Sequence, residues 1–126
     1  MILLLMNNKI TKCANVRVKN IRPNYNNLKE WMDDDDNIYI GRKEIVFIDG
    51  KRYPKKSSIW YNPFKINKNN SRTDVINKYK RYIVKKINDE ILVGELLKLK
   101  NKNLGCWYHP NSCHGDVLID LINFYG

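Results

Sequence analysis

Apolar and polar residues alternate along several short stretches of the chain, which is the period of a half-buried strand. Ala14, Val16 and Val18 alternate with polar neighbours over residues 14–19, and a second short strand is predicted at 38–40. Residues 44–48 and 52–53 flank Asp49-Gly50, a strong signal for a β-hairpin. Residues 104–108 form a further short apolar segment that predicts a buried strand.

Three later segments have apolar residues at helical spacing. The first helix is predicted to begin near Ser71, because Ser71 and Asp74 fit a capping box, and its apolar positions continue to Ile87. Two more helices are predicted over residues 89–99 and 113–124, whereas residues 20–37 are polar and are expected to form an irregular loop. These elements predict an α/β fold: a single small domain over residues 13–126, with a short central sheet and about three flanking helices.

Residues 1–12 are expected to form an N-terminal extension, as an extra strand or a frayed lead-in. The apolar run at 1–6 has no cationic segment before it and no small-residue cleavage site after it, so it does not fit a signal peptide. No later segment approaches a membrane span. The three cysteines are too few for a disulfide scaffold and favour a reducing compartment, so we expect a cytoplasmic protein without a membrane partner.

The charge changes this picture, because it is concentrated in one region. The formal net charge is +10, and twelve basic residues but only one acidic residue, Asp74, lie between Lys51 and Lys86. Aromatic residues are interleaved with them, as in surfaces that bind polyanions. A solvated face that keeps the domain soluble is the alternative. The run Asp33–Asp36 could collect a cation, but a flexible acidic loop is the simpler interpretation.

The richest cluster of reactive side chains covers residues 106–116 and contains both histidines. Three interpretations stay open. Cys106, His109 and Cys113 could bind zinc, although their spacing is compact. Cys113 or His114 could act at the N-terminus of the last helix, where the helix dipole lowers a thiol pKa and favours anions. Otherwise Cys106 and Trp107 are ordinary core residues, and the two histidines satisfy loop backbone groups.

Several motifs together resemble a known family. They are YIGR at 39–42, WYNPF at 60–64, Ser71-Arg72 opening a helix, LGCW at 104–107 and CHGDVL at 113–118. The family is an uncharacterised domain of unknown function from bacteria, phages and large DNA viruses, and the resemblance covers residues 16–121. It implies a shared site rather than a reaction. This sequence departs from the family pattern at Tyr61, at Tyr108, where a second cysteine is usual, and at residues 43–58, which look like an inserted hairpin.

The motifs predict a pocket for a nucleotide- or nucleoside-like phosphorylated ligand. Its binding residues would be Gly41, Arg42, Asn62, Arg72, Gly115 and Asp116, and any nucleophilic or acid–base step would fall to Cys113 and His114. Whether the protein is an enzyme stays open, no cofactor is expected, and the sequence does not indicate an oligomeric state.

Two other functions are kept as alternatives. A non-catalytic nucleic-acid-binding accessory protein would use Lys55, Lys56, Lys65, Lys78, Arg81 and Lys85. A small zinc-stabilised interaction domain would use the zinc ligands named above. Were the protein viral, its compartment would be the host-cell cytoplasm.

Overall fold

The computed structural model describes residues 10–126, and the predicted N-terminal lead-in therefore lies largely outside the described residues. Within that range five strands and five helices follow one another. Their order is β1 (Lys12–Asn15), α1 (Val18–Ile21), α2 (Leu28–Asp33), β2 (Asn37–Tyr39), β3 (Val46–Ile48), β4 (Lys51–Tyr53), α3 (Arg72–Glu90), α4 (Val93–Leu97), β5 (Asn103–Cys106) and α5 (His114–Tyr125). The predicted α/β class is confirmed.

The central sheet has three parallel strands in the order β1-β5-β2. Alternate residues point to opposite faces. Cys13, Leu104 and Ile38 pack against the core formed with α3, α4 and α5. Ala14 and Tyr39 pack with α2 on the other face. Because helices cover both faces, the strands are buried on both sides, as parallel sheets require.

The second sheet is the predicted β-hairpin of β3 and β4, paired antiparallel from Val46↔Tyr53 to Ile48↔Lys51. Its turn residues Asp49 and Gly50 have φ angles of 52° and 76°. Two positive φ values in a two-residue loop are typical of the type I′ turn, whose twist matches that of the strands.

The long helix α3 begins as the sequence predicts. Ser71 is its N-cap, and the Ser71 side chain accepts from the backbone N–H of Asp74 while the Asp74 carboxylate accepts from the backbone N–H of Ser71. Val75, Tyr79, Ile83 and Ile87 form its buried face.

The start and length of the next helix differ from the prediction. The predicted helix over 89–99 is only α4, because Ile91 adopts a left-handed conformation with φ 55° and ends α3.

Two expectations for the N-terminal third are wrong. The chain does not remain a strand to residue 19: β1 ends at Asn15 and α1 begins at Val18. Nor is 20–37 one irregular loop, because it contains α2, whose N-cap Asn27 accepts from the backbone N–H of Glu30. Trp31 of α2 is 4% exposed and covers β5 at Gly105, where a Cβ would lie 2.5 Å from the Trp31 ring.

No helix in the described part of the chain is long and apolar enough to cross a membrane.

Candidate functional site

A cavity of about 630 Å³ opens where the three parallel strands end. Arg17 follows β1, Gly41 and Arg42 follow β2, and Trp107 follows β5. This edge is where α/β sheets place their ligands. The remaining wall comes from the hairpin and the residue before it, from the segment before α3, from the start of α3, and from the loop between β5 and α5 with the start of α5. Its residues are Ile45, Val46, Asn62, Phe64, Lys65, Ile66, Arg72, Val75, Ile76, Tyr108, Ser112, Cys113 and His114.

The cavity has a strongly cationic lining. Arg17, Arg42, Lys65 and Arg72 contribute positive charge, and none of the described lining residues is acidic. The N-terminal turns of the 19-residue helix α3 and the 12-residue helix α5 add the positive ends of two helix dipoles. The electrostatics of the cavity therefore favour an anion.

Arg42 lies on the cavity wall and also ties two chain segments together. Its Nη2 donates to the backbone carbonyls of Asn62 at 2.8 Å and of Phe64 at 3.3 Å. The end of β2 is thereby fixed to the segment that precedes α3. Among the described residues, the other donors of Arg42 make no hydrogen bond. Arg42 can therefore fix the position of this segment and also donate to a ligand.

The segment around Asn62 is anchored from its other side. Trp60 is 3% exposed, and its carbonyl accepts from the Tyr79 hydroxyl of α3 at 2.8 Å. The Asn62 side-chain oxygen accepts from the backbone N–H of Phe64 at 2.9 Å, which is an Asx turn. Asn62 therefore shapes the wall with its oxygen and leaves its side-chain N–H₂ as the group that can reach a ligand.

Arg72, in the first turn of α3, reaches the loop that follows β5. Its Nη1 donates to the carbonyl of Ser112 at 3.1 Å, and its guanidinium lies 4.8 Å from the Tyr108 ring centre. Asn15 holds the same loop from β1, since its Nδ2 donates to the carbonyl of His109 at 2.8 Å. The loop that forms one wall of the cavity is thus fixed from two sides.

Gly41 is required by a neighbouring side chain. A Cβ on Gly41 would lie 2.4 Å from the Tyr39 hydroxyl oxygen. That hydroxyl donates to the carbonyl of Arg42 at 2.8 Å and accepts from Nε1 of Trp107 at 3.0 Å. Gly41 lines the cavity, but the group that approaches its backbone closely is Tyr39.

His114 is 8% exposed and lies at the base of the cavity. Its Nε2 is 2.6 Å from the carbonyl of Ile40, so Nε2 carries the proton and donates. Burial lowers the pKa of His114, which makes the imidazole neutral near pH 7. Nδ1 makes no hydrogen bond within the described residues. Because every fully buried polar side-chain atom there has a partner, the unpaired Nδ1 is accessible, and it can accept a hydrogen bond from a molecule in the cavity.

Cys113 lines the cavity and belongs to a cluster of three buried thiols. Its Sγ lies 3.3 Å from Sγ of Cys106 and 3.9 Å from Sγ of Cys13. Hydrogen bonds from the other two thiols and from the backbone N–H groups of Tyr108 and His109 lower the pKa of Cys106. The hydrogen bond to Cys106 raises the pKa of Cys113, so Cys106 is the thiol of this pair that loses its proton more readily.

Two of the predicted binding residues lie outside the cavity wall. Gly115 is buried where α5 packs on the sheet, and a Cβ there would lie 2.5 Å from Sγ of Cys13. The Asp116 carboxylate accepts from the backbone N–H of Cys113 at 3.1 Å and so caps α5. Their observed roles are packing and capping.

The proposed zinc ligands do not form a metal site. No group of three or more histidine, cysteine, aspartate or glutamate side chains within residues 10–126 has an arrangement that could hold a metal ion. Cys106 and Cys113 are buried, whereas His109 is exposed. The acidic run at 33–36 likewise belongs to no such group.

The basic residues of the nucleic-acid alternative do not all face solvent freely. Lys65 lines the cavity, Lys78 donates to the side chain of Asn70, and Lys85 is paired with Asp89. Lys78 is half-buried, and the other five are exposed: Lys55, Lys56, Lys65, Arg81 and Lys85.

Several residues of this region, among them Arg17, Tyr108 and Cys13, were not predicted from the sequence to belong to a site. Arg17 and Tyr108 line the cavity, and Cys13 completes the thiol cluster. Cys13 lies on the face of β1 that packs in the core with Leu104. A predicted strand end at Asn15 would have indicated Arg17, because ligand sites lie just beyond the carboxyl ends of parallel strands.

The fold and the cavity define a small α/β protein with a parallel sheet and an anion-favouring cavity at the carboxyl ends of its strands. Comparison with known families places the chain more closely: residues 24–124 match the family described as "Domain of unknown function (DUF4326)", and the chain belongs to that family. It is also 35% identical over 109 residues to "Uncharacterized protein R718" of Acanthamoeba polyphaga mimivirus, covering 80% of this chain and 75% of that protein. No solved structure matches.

Proposed function

We propose that the protein binds a nucleotide-like phosphorylated small molecule in this cavity. The observation that carries the proposal is the combination, in one concave site, of four cationic side chains without an acidic one and a largely apolar remainder. Its volume of about 630 Å³ is within the range of small-ligand sites.

The cationic side of the cavity suits a phosphate group. Arg42 and Arg72 each use part of the guanidinium to bind backbone carbonyls, which fixes their position before a ligand arrives. Their remaining donors can form charge-assisted hydrogen bonds to phosphate oxygens. Because these side chains are already ordered, binding costs less conformational entropy than it would with free lysines.

The rest of the cavity suits a flat, largely apolar group such as a base. Phe64, Ile66, Ile76 and Trp107 supply apolar surface there. Asn62 adds a side-chain N–H₂ donor, and Nδ1 of neutral His114 adds an acceptor. A few polar groups on an apolar wall are the usual basis of ligand orientation.

The proposal assigns no covalent step. The raised pKa of Cys113 keeps its thiol protonated in the resting protein, so this sulfur can attack only if a neighbouring base takes its proton. His114 is neutral and can accept a hydrogen bond or a proton at Nδ1, so it is the residue best placed for acid–base work on a bound ligand.

The second candidate is nucleic-acid binding by the exposed basic surface. The specific observation in its favour is Arg52 of the hairpin, whose guanidinium lies 4.6 Å from the ring centre of Phe47, a side chain that is 65% exposed. An exposed aromatic ring beside cations resembles a single-strand binding surface. Such binding would weaken steeply with salt and would not depend on small nucleotides.

The test is the melting temperature of the protein with a panel of nucleoside 5′-monophosphates, the matching nucleosides and inorganic phosphate at moderate salt. We expect a monophosphate to stabilise more than either of its parts. A ligand present at 100 times its Kd stabilises by about 2.7 kcal/mol, which gives a clear shift.

Arg72→Ala and Arg81→Ala form a matched pair on α3, because Arg72 lines the cavity and Arg81 is exposed. We expect Arg72→Ala to remove the shift and Arg81→Ala to keep it. Equal shifts in both variants, or no stabilisation by any monophosphate, would contradict the proposal.

A further inference from the structure

The three cysteines of the chain meet at one point, although they come from β1, β5 and the N-cap of α5. Cys13, Cys106 and Cys113 are 8%, 1% and 2% exposed. The Cys113 sulfur contacts both others, at 3.3 Å to Cys106 and 3.9 Å to Cys13. Thiols are ordinary apolar core residues, but here two other thiols lie within reach of the Cys113 sulfur.

Cys113 also gives this cluster a route to small solutes, since it is the cysteine among the cavity-lining residues. Behind it lies Cys106, whose sulfur accepts from the Cys113 thiol at 3.3 Å and whose pKa is lowered by that hydrogen bond. A thiol at a cavity and a second, more readily ionised thiol in contact with it form the arrangement that lets a disulfide close.

From this geometry we infer that Cys113 and Cys106 form a redox-active dithiol, oxidised to a disulfide by a hydroperoxide that enters the cavity. The inference concerns these thiols alone and stands independently of the proposed nucleotide-like ligand.

The chemistry balances in two steps. In the first, the Cys113 sulfur attacks the hydroperoxide: an S–O bond forms, the O–O bond breaks, the alkoxide or hydroxide leaves, and the Cys113 proton passes to the Cys106 thiolate across the 3.3 Å contact. In the second, the Cys106 thiol attacks the Cys113 sulfenic acid: the S–S bond forms, the S–O bond breaks, and water leaves. Two thiol sulfurs are oxidised and the peroxide is reduced.

Disulfide formation alters the cavity. An S–S bond is about 2.05 Å long, so the two sulfur atoms must approach by more than 1 Å from their present 3.3 Å. Cys113 is the N-cap residue of α5 and precedes His114, so the movement occurs in the wall that carries the cavity's buried imidazole.

The experiment is a peptide map of the reduced protein after treatment with hydrogen peroxide, with alkylation of the remaining thiols under denaturing conditions. Trypsin releases Cys13 on residues 13–17 and the other two cysteines together on residues 103–126. The expected product is a 103–126 peptide that has lost two hydrogens and takes up no alkylating reagent, with the 13–17 peptide fully alkylated.

Two variants sharpen the test. Cys13→Ser should form the same internal disulfide to the same extent. Cys106→Ser should abolish it and slow the reaction of Cys113 with peroxide, because the group that takes the Cys113 proton is lost.

Free glutathione in the same tube shows that the peroxide is active. If the glutathione is oxidised while all three cysteines of the protein are still alkylated, the inference is overturned. A first product that links residues 13–17 to 103–126 would overturn it as well. Both results come from the wild-type chain, so the test does not depend on whether a variant folds.

Discussion

The protein carries positive charge in two regions that differ in how the charge is held. Around the cavity, Arg42 and Arg72 donate to backbone carbonyls and lie beside apolar walls. Outside it, Lys85 and Lys29 pair with carboxylates one helical turn away, at sites open to solvent. Exposed pairs of that kind contribute little to stability and are screened by salt.

The difference shows that net charge alone does not locate a site in this chain. Twelve basic residues crowd the stretch from Lys51 to Lys86, but only Lys65 and Arg72 of them reach the cavity. The other two cavity cations, Arg17 and Arg42, lie outside that stretch and are placed by strand ends. Topology therefore selects which cations converge.

The largest effect is expected for Arg42→Ala. The substitution removes a charge-assisted donor from the carbonyls of Asn62 and Phe64, and it should lower the free energy of unfolding by about 2–3 kcal/mol. Urea denaturation measures this. Arg81→Ala, an exposed arginine outside the cavity, should change stability by no more than about 0.5 kcal/mol. Similar values for the two variants would show that Arg42 does not hold the wall.

Gly115→Ala tests how closely α5 must pack beneath the cavity. The new methyl group would lie 2.5 Å from Sγ of Cys13 and 3.1 Å from Cδ1 of Ile40, so overpacking should cost about 1–3 kcal/mol. Gly94→Ala in α4 is the control, because no atom lies within 4 Å of its Cβ and alanine favours the helix. Thermal melts should therefore move in opposite directions. An unchanged melting temperature in Gly115→Ala would show that α5 does not pack closely against Cys13 and Ile40.

The pH dependence of stability tests the buried imidazole. Burial lowers the folded-state pKa of His114 below its ordinary value of 6.5. The unfolded chain then binds the proton more readily, so His114 makes stability fall as the pH drops below about 6.5 and has no such effect above it. The measurement is unfolding by urea above and below that pH. His114→Gln keeps a donor for the carbonyl of Ile40 and should flatten the fall, and an unchanged fall in this variant would show that another group causes it.

The smallest effect is expected for two lysines of the same exposed segment. Lys65 lines the cavity and Lys68 does not. Lys65→Ala should weaken the binding of a monophosphate by about threefold to tenfold, and Lys68→Ala by less, with both differences shrinking at high salt. Calorimetric titration at two salt concentrations measures this. Equal weakening by the two variants would indicate that the lysines act through the general positive potential of the surface and that Lys65 does not contact the ligand.

Local signals in the sequence predicted the parts of the fold that are locally determined. The capping box of Ser71 and Asp74 and the Asp49-Gly50 turn are each decided by a few adjacent residues, and both appear as predicted. Arg42, Asn62, Arg72 and His114 were predicted on sequence motifs to lie near one another, and the structure places all four around one cavity.

Contacts between distant segments could not be predicted in the same way. The helix α2 has only six residues, and its Trp31 is buried against Gly105 of β5, where a Cβ would collide with the ring. Cys13 meets Cys113 across 100 residues of sequence. Gly115 and Asp116 were predicted to bind a ligand. In the structure Gly115 lets α5 pack closely on Cys13, and the Asp116 carboxylate caps α5.

The most direct test of the central claim is calorimetric titration of wild type, Arg72→Ala and Arg81→Ala with the nucleoside 5′-monophosphate that stabilises the protein most. We expect one site per chain, with affinity at least about tenfold weaker in Arg72→Ala and unchanged in Arg81→Ala. The absence of binding to wild type, or equal weakening in both variants, would contradict the claim that the cationic cavity is the ligand site.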